Sequence, residues 1–276
     1  MSQDQVSLKA VSDANAVEPN SAFPDERQAY IAHVVATQGK VRVAQLTEHF
    51  GVSDPTVRKD LMVLEQKGLL KRTHGGAVSI RPPVEQEVAS RQARNWEAKA
   101  AIARACVRLL ASGEAVFLDN GSTVEQIAQA LAGSGLRLTV LTNAPAVAVT
   151  LADAPGINHL LLGGQLRKLS GCLVGPLATE NLKLFRIGTA FIGTSGVSEA
   201  GVTVADLAES ALKAAVVAQA QRVIVPADHS KVGLADFVKV CELDAIDAIV
   251  TDRCSDYLEA LCRTHGIELV TAEEAG

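Results

Sequence analysis

Downstream of Arg81-Pro82-Pro83 the chain alternates between short β-branched or Leu-rich runs and segments with helical spacing. Ala115–Leu118, Arg137–Leu141, Ile157–Leu162, Ala190–Ile192, Arg222–Val225, Ala248–Val250 and Glu268–Val270 read as strands. Between them, Val124–Leu131, Ala144–Ala152, Leu207–Ala220 and Ser255–His265 repeat their apolar residues every three or four positions. Such alternation predicts an α/β fold, a mostly parallel sheet covered by helices. Ligands of these sheets bind in the loops that leave the carboxyl ends of the strands. The loops after these seven runs are therefore where chemistry is expected.

The two prolines at 82 and 83 stop both a helix and a strand ladder, so a boundary is expected there. Charge divides at the same place. Residues 25–81 carry a net +3 and residues 82–276 a net −6, within a total of −5. A small basic module joined to a larger acidic body fits this asymmetry. Residues 1–22 lack periodicity and read as a flexible tail. The expected organisation is a tail over 1–22, a helical module over 23–80, a linker over 81–94 and a large domain over 95–276.

Three helical segments fit between Asp25 and Gly68. The first carries Tyr30, Ile31, Val34 and Val35 on one side and ends at Gly39. Val41-Arg42-Val43 alternates like a short strand, and Ala44–Phe50 forms a second helix with Leu46 and Phe50 at i, i+4. Ser53 suits the N-cap of a third helix, and Pro55 is tolerated in its first turn. There Val57, Leu61 and Leu64 fall on one edge, with Arg58, Lys59 and Met62 opposite. Leu69–Arg72 and Ala77–Ile80 flank the Gly-rich Thr73-His74-Gly75-Gly76, the pattern of a hairpin wing. A helix–turn–helix with a cationic outer edge and a wing suits a DNA major groove. Arg58, Lys59, Lys71 and Arg72 are expected at phosphates, and Ser53 and Thr56 near base edges or phosphate. His74 is a candidate DNA contact at the wing tip or a turn-stabilising histidine.

In the larger domain, Asp119-Asn120-Gly121-Ser122-Thr123 follows a strand and opens a helix. Glycine lets the backbone approach an anion, and the helix start offers hydroxyls and N–H groups. It is neither a Walker loop nor a G-x-G-x-x-G turn, and no resident cofactor is expected. Thr142-Asn143, Gly163-Gly164-Gln165-Leu166-Arg167, Gly193-Thr194-Ser195-Gly196 and Asp228-His229-Ser230-Lys231 also follow strands. Together they suit a small polyhydroxylated anion. Glu209 and Lys213, at i, i+4, also fit a plain ion pair on a helix surface.

These motifs, in order, closely resemble the DeoR family of transcriptional regulators. The DNA module carries Val52-Ser53-x-x-Thr56-Val57-Arg58-Lys59-Asp60-Leu61-x-x-Leu64-Glu65-x-x-Gly68-x-Leu70-x-Arg72-x-His74-Gly75-Gly76-Ala77. Where the family usually has Arg-Arg-Asp-Leu, this chain has Arg58-Lys59-Asp60-Leu61, and lysine lacks the bidentate fork. The body carries Asp119-x-Gly121-Ser122-Thr123, Gly163-Gly164-x-x-Arg167, Glu209-x-x-x-Lys213 and Asp228-x-Ser230-Lys231. The resemblance covers about residues 24–272. It implies a body similar to ribose-5-phosphate isomerase and the CoA transferases, and a sugar phosphate that modulates operator affinity. The implied effector residues are Asp119, Gly121, Ser122, Thr123, Asn143, Gly164, Arg167, Gly193, Glu209 and Lys231.

The same kinship raises an isomerase with an appended nucleic-acid module. Glu209 resembles that enzyme's glutamate and Lys231 its ligand-binding lysine. The enzyme's Asp-Gly-Ala-Asp loop is replaced here by Gly193-Thr194-Ser195-Gly196, and its glycine-rich lysine loop by Thr203-Val204-Ala205-Asp206. Removal of most of the acid/base set favours a sensor over a catalyst. A structural adaptor that binds neither DNA nor sugar is a third reading.

Other classes are disfavoured. The longest uncharged stretch, Leu138–Ala152, is 15 residues and polar in part, short of a bilayer span. Met1-Ser2-Gln3-Asp4-Gln5 has no signal-peptide pattern, and five scattered cysteines fit reduced thiols, so a cytoplasmic protein is expected. Paired Cys/His spacing is missing, so no metal site is expected. The expected protein is a carbohydrate-pathway regulator, a repressor by preference, acting as a homo-oligomer (dimer or tetramer) on paired half-sites of double-stranded DNA.

Overall fold

A computed structural model describes residues 23–38, 40–73, 75–78, 92 and 94–272. The tail expected over 1–22, nearly all of the linker expected over 81–94, and His74 lie outside the described residues. The chain divides into two compact units, Met1–Val84 and Glu85–Gly276.

The first unit runs α1 (Pro24–Gln38), β1 (Lys40–Arg42), α2 (Val43–Phe50), α3 (Asp54–Gln66), β2 (Lys71–Thr73) and β3 (Gly76–Val78). Its core joins Ile31, Val34 and Val35 of α1 to Leu46 and Phe50 of α2 and to Val57, Leu61 and Leu64 of α3. The apolar edge read from the sequence of α3 is thus the docked edge, and Arg58, Lys59 and Met62 are exposed. Gly51, in the left-handed region at φ 63°, ends α2. The strands form one antiparallel sheet in the order β1-β3-β2, so β1 also pairs with the wing hairpin. Two expectations need correction. Val43 opens α2 instead of extending the strand. Ser53 occupies the N-cap of α3 without capping a backbone N–H, because its hydroxyl pairs with that of Thr56 at 2.9 Å.

Arg27 is also not a surface cation. Its Nε lies 2.9 Å from Asp60 Oδ2, and Gln28 Nε2 donates to Asp60 Oδ1 at 3.1 Å, all three residues being buried. This network ties α1 to the inner side of α3.

The second unit holds a seven-stranded, wholly parallel sheet in the order β15-β14-β12-β9-β4-β5-β6. These strands are β4 (Ala115–Leu118), β5 (Leu138–Thr142), β6 (Ile157–Leu161), β9 (Thr189–Phe191), β12 (Arg222–Pro226), β14 (Ala248–Thr251) and β15 (Glu268–Thr271). They coincide within a residue or so with the seven runs read from the sequence. Successive side chains point to opposite faces. Val116 and Leu118 pack against α4 (Trp96–Arg108), α5 (Ser122–Ala132) and α6 (Pro145–Leu151). Phe117, between them, packs on the other face against α7 (Pro176–Leu182) and α8 (Leu207–Gln219). Burial on both faces explains why these strands read as continuous apolar runs.

The short antiparallel strands of this unit are not among the runs read from the sequence, whereas its last helix is. A hairpin of β7 (Gln165–Arg167) and β8 (Cys172–Val174) follows β6. An antiparallel sheet joins β10 (Gly196–Ser198), β11 (Gly201–Val204) and β13 (Val238–Cys241), and α9 (Asp256–His265) packs near it. Among the described residues no helix is long and apolar enough to cross a membrane.

Candidate functional site

In the first unit, the residues expected at DNA occupy the exposed side of α3 and of the wing strand β2. Ser53, Arg58, Lys59, Lys71 and Arg72 are exposed and Thr56 is half-buried. Two of the arginines face carboxylates. Arg58 pairs with Asp54 one turn earlier, both half-exposed. Arg72 donates to Glu65 through its backbone N–H at 2.9 Å and its Nε at 2.6 Å. The Arg72 N–H and guanidinium hold the Glu65 carboxyl below its usual range. Glu65 thereby braces β2 against α3.

In the second unit, the loops at the carboxyl ends of β4, β9 and β12 converge on an open cleft. Its wall includes Gly121, Ser122 and Thr123 at the start of α5, Gly193 and Thr194 after β9, Glu209 and Lys213 on α8, and Lys231 after β12. The start of α5 is shaped for close approach. Gly121 holds φ 125°, a conformation open to glycine. The first N–H groups of α5 lack partners within the helix. Gly193 lets β4 and β9 end together: a Cβ there would stand 2.3 Å from the Asn120 carbonyl oxygen. Lys231 Nζ donates to the Thr194 carbonyl oxygen on the cleft wall.

Beneath this wall lies a buried ionic network. Lys213 Nζ pairs with Asp119 Oδ2 and donates to Asn120 Oδ1 at 2.9 Å. Gly193 N–H also donates to Asp119 Oδ2, at 2.9 Å. Burial pushes the Asp119 carboxyl above its usual range, against the pull of Lys213 and of the Asn120 and Gly193 N–H groups. Glu209 is held from two sides, by Arg167 Nη1 at 3.1 Å and Asn120 Nδ2 at 3.3 Å. Arg167 Nε reaches Asp206 Oδ2 at 3.0 Å, and Asp206 caps α8 through the Ala208 and Glu209 N–H groups. Burial alone would raise Asp206, but the Glu209 N–H and the Arg167 guanidinium outweigh it and hold the carboxyl low. Asp228 likewise resists burial through the charge of Lys231 and hydrogen bonds from Ser230 and Asn95, and sits low. The Glu209–Lys213 surface pair allowed by the spacing does not form. Both residues are buried and each takes a different partner.

Six residues named from the sequence line the cleft: Gly121, Ser122, Thr123, Gly193, Glu209 and Lys231. Four do not. Asp119 sits beneath the floor, and Arg167 reaches the site through Glu209. Asn143 exchanges hydrogen bonds with Leu173 of β8, and Gly164 packs on the Val174 backbone. Asn120 and Lys213, which stand in the motifs but not among the implied effector residues, also line the cleft, as do Val204 and Pro226. Lys213 carried a signal, a charged residue on the same helical stripe as Leu212 and Val216, all three buried. Two buried oxygens near the cleft, Asp119 Oδ1 and the Thr123 hydroxyl, have no hydrogen-bond partner. Buried polar atoms are normally satisfied, so these are places for a ligand or water.

Comparison with known proteins agrees with this division. The DeoR-like helix-turn-helix domain matches residues 27–82, and the DeoR C terminal sensor domain matches residues 94–253. The chain is 36% identical over 236 residues to the HTH-type transcriptional regulator GlpR of Haloferax volcanii, covering 85% of this chain and 92% of that one. It is 34% identical over 258 residues to the HTH-type transcriptional repressor GlcR of Bacillus subtilis, covering 91% and 98%. The glycerol-3-phosphate regulon repressor of Escherichia coli K12 is 33% identical over 228 residues, covering 82% and 90%. A ribose 5-phosphate isomerase of Methanocaldococcus jannaschii overlaps half of this chain and 55% of its own, at 17% identity and a TM-score of 0.38. Two matched domains in the expected order, and full-length relatives above 30% identity, make the chain a member of the DeoR family of transcriptional regulators, not an enzyme.

Proposed function

We propose that the chain is a repressor of a carbohydrate operon whose grip on its operator is set by a phosphorylated sugar. In this reading residues 23–80 bind the duplex, 81–94 link, and 95–276 sense the ligand and hold a homo-oligomer together in the cytoplasm. Arg58, Lys59, Lys71 and Arg72 neutralise phosphates, and Ser53 and Thr56 face the groove. One such module makes few base contacts, so a dimer or tetramer on paired half-sites is required for specificity. Relatives are named as repressors of a glycerol-3-phosphate regulon and of a lactose phosphotransferase system, in keeping with a ligand of this class.

The observation that carries the ligand reading is the convergence of the α5 N-terminus and Lys231 on one cleft, with the buried Thr123 hydroxyl unpartnered beside them. Helix N–H groups and a lysine are complementary to phosphate. Glu209 and Asn120 are complementary to hydroxyls. The ligand must bind the DNA-competent and DNA-incompetent arrangements unequally, since equal affinity shifts nothing.

A thermal-shift screen against phosphorylated sugars and glycerol 3-phosphate, repeated with promoter DNA, tests this. At least one monophosphate is expected to raise the melting temperature and to change operator affinity about 5–150-fold. Stabilisation by none of them, or turnover abolished by Glu209→Gln, would overturn the reading.

A further inference from the structure

The residues just before α4 hold on to the framework of the cleft. Gln92 Nε2 donates to a carboxylate oxygen of Glu125. Glu125 stands in the first turn of α5, and its N–H closes that turn on the Gly121 carbonyl oxygen at 2.9 Å. Three residues after Gln92, Asn95 Nδ2 donates to Asp228 Oδ1 at 3.0 Å and to Ser230 Oγ at 3.3 Å. Asp228 and Ser230 belong to the tight turn that carries Lys231. Asp228 accepts from the Ser230 N–H at 3.1 Å, and the Lys231 N–H returns to the Asp228 carbonyl oxygen at 2.9 Å. Gln92 and Asn95 thus touch two of the segments that frame the cleft, the start of α5 and the turn after β12.

Asn95 gives up an ordinary role in making these contacts. It is the N-cap of α4, where an asparagine side chain normally accepts from a backbone N–H of the first turn. Here it makes no such cap, and its backbone sits at φ 52°, the one positive φ outside glycine among the described residues. Strain of this kind persists where the surroundings hold it. The holding contacts are the bonds to Asp228 and Ser230, with the buried Lys99 donating to the Arg94 carbonyl oxygen at 2.6 Å. From this juxtaposition we infer that Asn95 is a positioning residue for signalling: its bonds to the Lys231 turn pass a change in the cleft to the start of α4 and to the chain that leads back to the first unit. The inference rests on the reading above, in which a sugar phosphate in the cleft sets the grip on DNA. A ligand that shifts Lys231 or the start of α5 shifts the acceptors of Asn95 and Gln92. It then binds the latched and released forms of this segment unequally, as a switch requires.

The test uses the full-length protein with glycerol 3-phosphate, glucose 6-phosphate and fructose 6-phosphate as probes. Operator affinity is read by anisotropy with and without saturating probe, and probe affinity by calorimetry without DNA. In the wild type at least one probe is expected to change operator affinity about 5–150-fold. In Asn95→Ala and Asn95→Gly, each folded by circular dichroism, probe affinity is expected to stay within about threefold of wild type while that change falls to about twofold or less. Asn95→Gly tolerates the left-handed backbone without the side chain, so it separates the bonds to Asp228 and Ser230 from the backbone geometry. A wild-type change in operator affinity in either variant overturns the inference and leaves the sugar-phosphate reading intact. So does outright loss of probe or operator binding, the mark of a merely structural residue. A wild type that binds none of the probes, or whose operator affinity none of them alters, removes the sugar-phosphate reading itself, and this inference with it.

Discussion

Replacing Lys213 by methionine, of similar length but neutral, would strand the Asp119 carboxylate beneath the cleft. Asp119 is 1% exposed, and Lys213 is its charged partner. Removing one member of a buried ion pair typically costs about 3–5 kcal/mol. For a unit of this size that corresponds to a fall of roughly 6–20 °C in melting temperature. Circular dichroism during urea unfolding reads the loss. The loss has a definite pH dependence. A carboxyl raised above its unfolded value contributes stability below the ordinary carboxylate range, about 3.9, and loses it as pH rises through the folded value. Asp119 is already raised, and loss of Lys213 raises it further. The deficit of the variant should therefore shrink in acid and grow towards alkaline pH. Adding Asp119→Asn should recover most of it, since the amide oxygen still accepts from Gly193 and no charge remains. A deficit under about 1 kcal/mol, or one that shrinks as pH rises, would refute the account of this pair as a buried, charge-dependent contact.

Arg58→Ala is expected to weaken operator binding and to reduce the slope of log affinity against log salt by about 0.9, read by anisotropy; an unchanged slope would remove Arg58 from the phosphate contacts. Thr123→Val deletes a hydroxyl that has no partner, so stability should hold within about 0.5 kcal/mol while sugar-phosphate affinity falls; an equal loss of both would mean a structural role. Thiol labelling should begin at the exposed Cys254, whereas Cys172, buried and pushed up to about 12 by burial and the charge of Glu209, should react only on unfolding. Early labelling of Cys172, seen by peptide mapping, would mean that the β7–β8 hairpin opens readily.

The parts of this molecule that were legible in its sequence are those whose physics is local. Val116-Phe117-Leu118 reads as a doubly buried strand because both faces of a parallel sheet are apolar. The edge of α3 reads because Val57, Leu61 and Leu64 follow the helical period. The β7–β8 hairpin and the sheet of β10, β11 and β13 have strands of three or four residues, too short to display a period. The helix Trp96–Arg108 went unassigned because alanine makes up much of its buried stripe. At the site, the glycines and hydroxyls after each strand were legible. The pairing was not: Lys213 meets a side chain 94 residues away and Glu209 one 42 residues away, separations that no spacing rule encodes. The i, i+4 rule offered Glu209 and Lys213 to each other, and burial decided against it.

If α3 is the helix that enters the groove, as proposed, its ion pairs bear on how the protein would search a genome. Arg58 and Arg72 are each already occupied by an acidic neighbour, Asp54 and Glu65. In the proposed complex a DNA phosphate must displace that neighbour and leave its negative charge facing the polyanion. In that proposed complex, attachment to arbitrary duplex would be weak and brief. Only a site whose bases reward the exposed edge of α3 holds the protein long enough for the exchange to be completed. Asp54→Asn or Glu65→Gln would accordingly lengthen residence on random DNA more than on the operator, so the most basic-looking variants would be the poorest at finding their target.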